Sequence, residues 1–209
     1  MNKINYQKEL DRIIAQNERD GITPKLLLHV CCAPCSSYCL EYLSDYFDIT
    51  VYYYNPNISP EAEYRFRLSE EERYISLRDF KNPVALTDSI YDPREFFDAV
   101  RGLESEPEGG KRCEKCFRLR LEASARKAVE LGMDCFTTTL TISPLKNAAL
   151  LNEIGYEAGE KYGVMWLPSD FKKREGYKRS IVLSREYDLY RQNYCGCVFS
   201  KNNKENQEV

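Results

Sequence analysis

The stretch KLLLHVCCAPCSS, residues 25 to 37, passes from an apolar, β-prone run directly into a cluster of thiols. Its first six residues read as a buried strand, and Ala33, Pro34, Cys35, Ser36 and Ser37 read as the start of a helix. Four further short runs have the same character: ITVYYY (49 to 54), PVALTD (83 to 88), CFTTTL (135 to 140) and VMWL (164 to 167). Helical sequence separates them, most clearly after Cys116, where Phe117, Leu121, Ala125 and Ala128 share one face and Gly132 ends the pattern. Strands alternating with helices predict an α/β fold, a doubly wound parallel sheet of about five strands with helices on both faces. In such sheets ligands bind beyond the carboxyl ends of the strands. The residues expected there are polar or reactive: Cys31, Cys32 and Cys35, then Asn55 and Asn57, Tyr91 and Asp92, Thr141, Ser143 and Lys146, and Asp170.

A chain of 209 residues can bury one substantial core, so a single domain over 1–209 is expected. Residues 1–20 read as an accessory N-terminal helix that docks through Tyr6, Leu10, Ile13 and Ile14, residues 25–200 as the α/β core, and 201–209 (KNNKENQEV) as a flexible tail. The segment from Arg101 to Arg112, with three glycines and a proline, reads as an irregular loop. The N-terminus carries charges throughout and no apolar signal core, and no run approaches the roughly 20 apolar residues of a membrane span. A cytoplasmic protein without membrane contact is therefore expected. Its formal charge of -3 argues against indiscriminate nucleic-acid binding. A local basic patch exists at Lys172, Lys173, Arg174, Lys178 and Arg179, for which a solvated helix face is the plainer reading.

Nine cysteines are many for such a chain, and seven fall in three tight groups: Cys31, Cys32 and Cys35; Cys113 and Cys116; Cys195 and Cys197. Without a secretion signal, clustered thiols point to metal or redox chemistry rather than disulfides. Thiols at a helix start are favoured as anions, because the free N–H groups and helix dipole stabilise negative charge. The two-residue spacer of Cys113 and Cys116 lets both sulfurs face one metal, and Gly196 lets the backbone bend around a ligand. Cys39 and Cys135 lie within apolar helix and strand patterns and read as packing. So many thiols beside one histidine, His29, favour iron-sulfur or zinc over harder cations, with His29 a core or supporting residue. Spacing does not assign the ligands. Cys31 and Cys32, as neighbours at a strand end, are expected to point to opposite sides and need not serve one metal.

These segments together resemble the QueH type of epoxyqueuosine reductase, which is unrelated in fold to the cobalamin-dependent enzyme. The resemblance runs through LLLHVCCAPCS (26 to 36), YYYNPNISP (52 to 60), EYRFR (63 to 67), GLESEPEGGKRCEKCFRLRL (102 to 121), TTTLTISPLKN (137 to 147), SDFKKREGYKRS (169 to 180) and LYRQNYCGCVFS (189 to 200). It implies reduction of the epoxide of epoxyqueuosine at the tRNA wobble position to queuosine. It also implies a [4Fe-4S] cluster beside a further iron, no cobalamin, and a sheet similar to the adenine-nucleotide-hydrolase-like (HUP) fold. Carried onto this chain, the metal ligands fall among Cys31, Cys32, Cys113, Cys116, Cys195 and Cys197, with Cys35 less certain and Asp170 preferred over Asp92 as the aspartate. Candidate proton donors are Tyr54, Tyr91 and Tyr194; candidate tRNA contacts are Arg174, Lys178, Arg179 and Arg191 for phosphates, and Lys146 or Asn55 for base or sugar. The electron donor is unidentified.

Two other classes fit parts of the pattern. Two CxxC pairs can close a structural zinc site in a nucleic-acid binding module without catalysis, and Cys32 with Cys35 could form the redox pair of a thiol-disulfide oxidoreductase. Each leaves other thiol groups unexplained. An ATP-using tRNA-modifying enzyme suits the sheet, but CCAPCSS stands where a glycine-rich phosphate loop would be needed.

Overall fold

The structure is a computed structural model and describes residues 4–205. Helix α1 (Tyr6–Asp20) precedes β1 (Lys25–His29), α2 (Ala33–Leu43), β2 (Asp48–Tyr52), α3 (Glu61–Ser76), β3 (Val84–Thr87) and α4 (Pro93–Ala99). The chain continues with α5 (Lys111–Glu130), β4 (Cys135–Thr138), α6 (Ala148–Tyr162), β5 (Met165–Trp166), α7 (Gly176–Glu186) and α8 (Val198–Glu205). All five strands are parallel, in the order β3-β2-β1-β4-β5. Crossover helices force this parallel pairing, because parallel neighbours cannot be joined by a tight turn.

Side-chain alternation along β1 divides the core. Leu26 and Leu28 pack with Leu10 and Ile14 of α1, Leu40 and Leu43 of α2 and Tyr64 and Tyr74 of α3. Leu27 faces the opposite way, onto Leu121 of α5, Phe136 of β4 and Ile154 of α6. Helices therefore cover both faces of the sheet. Cys39 and Cys135, each fully buried, belong to the first of these clusters.

Strand ends differ from the sequence reading where the ladder runs out of partners. CFTTTL stops as a strand at Thr138, whose hydroxyl accepts from Leu140 N at 3.2 Å and starts a 3₁₀ turn over Thr139–Ile142. ITVYYY stops at Tyr52, level with the end of its neighbours, and VMWL contributes only Met165 and Trp166 at the sheet edge. The irregular segment ends at Gly110, where α5 begins, so Lys111 and Arg112 are helical. Helix α8 carries the chain past Lys201 to Glu205; the remainder of the tail expected at 201–209 lies outside the described residues, as do residues 1–3 of the accessory helix. Among the described residues no helix is long and apolar enough to cross a membrane.

Candidate metal centre

Strand order reverses between β1 and β4, and the loops leaving these two strands meet at their carboxyl ends. Cys32 is the extended N-cap of α2 (φ -177°, ψ 156°) and has no side-chain capping bond. The sulfurs of Cys31, Cys32 and Cys35 all lie within 4.8 Å of one another. Cys31 Sγ is 3.8 Å from Cys32 Sγ and 3.7 Å from Thr139 Oγ1. The expectation that Cys31 and Cys32 point apart is corrected here: β1 has already ended at His29, so strand alternation does not govern the pair. The three thiols share protons. Cys31 is held well below the ordinary thiol value because its sulfur accepts from Cys32 and Cys35, with the Arg120 and Lys146 cations adding to the effect. Cys32, pushed up to about 12, and Cys35, also raised, keep the donated protons.

A second group forms from α5 and the segment before α8. Cys113 and Cys116 lie one turn apart at the start of α5, and Gly109 N donates to Cys113 Sγ at 3.2 Å. Cys195 and Cys197 flank Gly196, whose φ of +96° disfavours any L side chain and where a Cβ would come within 3.0 Å of Arg67 and Ile58. These four cysteines border a narrow void of about 20 Å³, together with Asn57, whose Oδ1 is buried without a partner. Burial pushes Cys116 up to about 12 and also raises Cys113 and Cys197. Cys195 borders both this void and a larger cavity of about 380 Å³ that contains the Cys31, Cys32 and Cys35 trio.

The larger cavity is bounded by Ser143–Lys146, by Tyr177 and Ser180 of α7, and by Arg191–Cys195. It brings together Cys31, Cys32, Cys35, Lys146, Arg191, Tyr194 and Cys195. Burial alone would pull the Lys146 ammonium down, but the thiols of Cys195, Cys31 and Cys35 outweigh it and hold the group charged. Tyr194 lies against the guanidinium of Arg67, 5.1 Å from ring centre. Tyr54 donates to Glu95 and Tyr91 donates to Ile58 O at 2.7 Å, so both hydroxyls are engaged elsewhere. Asn55 is buried behind the cavity, where its Nδ2 donates to Val30 O at 2.8 Å and its Oδ1 accepts from Arg120.

Other expected residues are not brought in. Asp170 lies 3.0 Å from Lys172 Nζ and borders neither chamber, and Asp92 caps α4 and pairs with Arg94. The carboxylate that borders both chambers is Glu108, which accepts from Ser200 Oγ at 2.8 Å. The basic patch is largely neutralised: Arg174 pairs with Asp11, Arg179 with Glu41 and Lys178 with Glu175. Sequence reasoning passed over Arg120, which is buried on the cavity wall. Its signal was present, since Arg120 is four residues after Cys116 and therefore on the same helix face.

The donor set fits a soft metal centre. Seven free thiols converge on two adjoining chambers, while the ring nitrogens of His29 are already occupied by Thr138 Oγ1 at 2.8 Å, Tyr54 O at 3.1 Å and Arg120 Nε at 3.3 Å. Residues 26–203 match the family model for epoxyqueuosine reductase QueH. The chain belongs to the QueH family. It is 50% identical to the epoxyqueuosine reductase QueH of Staphylococcus epidermidis over 204 residues, covering 95% of this chain and 85% of that protein. The QueH of Streptococcus pyogenes serotype M1 is 48% identical over 200 residues (95% of this chain, 78% of that protein), and that of Thermotoga maritima 38% over 179 residues (84% and 89%). The QueH match spans every residue that borders the two chambers.

Proposed function

We propose that this chain is an epoxyqueuosine reductase that acts on tRNA, converting the epoxide of the modified wobble base to the alkene of queuosine. The observation that carries the reading is the convergence of seven thiols on two adjoining chambers beside a cavity of about 380 Å³, a size suited to one modified base. Removing the epoxide oxygen as water consumes two electrons and two protons. An iron-sulfur centre with an adjacent iron would supply the electrons and a Lewis acid for the oxygen.

The two groups of thiols divide by spacing. Cys31, Cys32 and Cys35 are close enough to hold a single iron, whereas Cys113, Cys116, Cys195 and Cys197 surround a separate void and suit the four ligands of a [4Fe-4S] cluster. Cys195, bordering both chambers, joins the two. Metal binding would displace the protons held on Cys32 and Cys35. Glu108, which borders both chambers, is the oxygen donor beside the thiols.

The chain's own residues orient the substrate. Lys146 and Arg191 present cations to the cavity, where they can hold hydroxyl or phosphate oxygens, and Tyr194 is the tyrosine placed to donate a proton there. Tyr177, with Arg191 over its ring at 5.9 Å, offers a stacking plane for a splayed base. Electrons come from a separate reducing partner, and the reaction belongs in the cytoplasm, where thiols stay reduced.

Anaerobically purified protein tests the reading through its visible spectrum, its iron, sulfide and zinc content, and mass spectrometry of tRNA carrying epoxyqueuosine before and after reduction. Brown protein with iron and sulfide that produces queuosine supports it. Colourless protein holding only zinc after anaerobic reconstitution overturns it and favours a binding module.

A further inference from the structure

Arg120 is 1% exposed, yet no carboxylate pairs with it among the described residues. Its guanidinium donates to Asn55 Oδ1 and lies 3.3 Å from His29 Nε2. Neither partner carries negative charge, since His29 is neutral whichever nitrogen bears its proton and Asn55 is an amide. A buried cation without a counter-ion is strongly disfavoured. The groups able to balance it, once deprotonated on a metal, are thiols: Cys116, one turn before it on α5, and Cys31 and Cys195, which share the cavity wall with it. Asn55 and His29 are themselves fixed, Asn55 by its bond to Val30 O and His29 by Thr138, so the guanidinium is aimed rather than loosely tethered. Lys146 is a second cation on the cavity wall, but its residue keeps some solvent contact where Arg120 has almost none.

We infer that Arg120 is the built-in counter-ion of the metal centre, a positioning residue that makes one-electron reduction of the thiolate-bound centre more favourable. The inference rests on the iron-sulfur reading above. In the step concerned, one electron from a one-electron donor adds one negative charge to the centre, and no bond forms or breaks. A fixed positive charge in a poorly solvated site favours the more negative state. Arg120 thus sets where the centre sits on the potential scale, in addition to holding the thiols together.

The test is an anaerobic spectroscopic redox titration of the holoprotein with dithionite, alongside iron and sulfide analysis. Three variants separate charge from shape. Arg120→Gln removes the charge, Asn55→Asp keeps the guanidinium but pairs it with a carboxylate, and Arg120→Lys keeps the charge while losing the fork geometry. The expected result is that Gln and Asp each lower the reduced-to-oxidised ratio at the wild-type midpoint by at least about tenfold, about 59 mV for one electron. The Lys variant should stay within about threefold of wild type. If Gln and Asp load no cluster while Lys does, the requirement for positive charge is again supported. Loaded Gln and Asp variants with the wild-type midpoint overturn the inference, as does failure of all three to load, which makes the guanidinium a structural group. A wild-type protein that binds no reducible centre removes the function reading itself, before any variant is compared.

Discussion

Glu71, on the buried side of α3, offers a measurable consequence of how the thiol site is supported. It is fully buried, its Oε2 accepts from Ser36 Oγ at 2.8 Å, and its Oε1 has no partner. Ser36 follows Cys35 in the first turn of α2, so this carboxyl lies behind the thiol trio. Burial raises its pKa from 4.5 to about 8; the nearby Cys31 charge acts in the same direction and the Ser36 bond against it. Because the folded value is raised, the stabilisation from protonated Glu71 is complete below pH 4.5 and is lost as pH rises through about 8. At about 1.4 kcal/mol per unit, the wild type should lose roughly 3 to 4 kcal/mol from this group between about pH 5 and pH 8.

Glu71→Gln keeps the side-chain shape and cannot ionise. Urea denaturation of both proteins under reducing conditions, at about pH 5 and pH 8, isolates the contribution of Glu71, because cysteine titration is common to both and cancels in the difference apart from the coupling between Cys31 and Glu71. The stability of the variant relative to wild type should rise by roughly 3 to 4 kcal/mol from the acidic to the alkaline condition. That corresponds to a relative midpoint shift on the order of 1 to 3 M urea. Parallel curves for the two proteins would refute the argument and mean that Glu71 ionises as an ordinary carboxylate. At neutral pH the carboxyl is protonated, and the start of α2 therefore presents no negative charge against the thiols.

Six other substitutions probe the site and its supports. Cys113→Ala should abolish cluster binding, whereas Cys135→Ala, buried against the backbone of Lys25, should keep full iron and sulfide content and lose on the order of 1 kcal/mol of stability; equal loss of iron in both would contradict this sorting of the thiols. Gly155→Ala would place a Cβ 2.3 Å from the Trp166 ring, which is held by Asn152 Oδ1 at 3.0 Å and by Phe136, so Tm should fall by roughly 6 to 12 °C for a cost of about 3 kcal/mol. An unchanged melting curve would show that the ring can retreat. In tRNA binding, Arg191→Ala should weaken affinity and reduce the slope of log K against log salt by about 1, while Arg174→Ala and Arg179→Ala, removing residues paired with Asp11 and Glu41, should change neither.

The different surroundings of these arginines show where the sequence is informative and where it is not. Leu26, Leu27 and Leu28 announce a strand buried on both sides, and the five apolar runs place the sheet because strand formation is a local, periodic signal. The cysteine groups are visible for the same reason: their spacing is short and their chemistry is intrinsic to the residue. Charge pairing is different. Asp11 meets Arg174 across 163 positions and Glu41 meets Arg179 across 138, so a run that looks like a phosphate-binding patch is neutralised by residues remote in the chain. Asp170 follows a strand, as a ligand in such a sheet should, yet the turn that begins there brings Lys172 onto it. Arg120 failed to stand out because arginines recur along α5, and only the fold distinguishes Arg118, paired with Glu157 at the surface, from Arg120 in the core.

The charges around the thiols follow one pattern. The first turn of α2 and the first turns of α5 both supply cysteines to the chambers, so each helix directs the positive end of its dipole toward sulfur. Arg120 and Lys146 add two cations on the cavity wall. Glu71, behind the trio, is withheld by burial, while Asp170 and Asp92, outside both chambers, are paired with Lys172 and Arg94. Glu108 is the exception, and it lies on the irregular segment before α5, beside Cys195 where the two chambers meet. A site assembled to hold thiolates and their metals requires this excess of positive charge, because every deprotonated sulfur adds a negative charge that little water is present to screen. A site meant only to pack cysteines would require none of it, and the buried guanidinium would then be a cost without a counterpart.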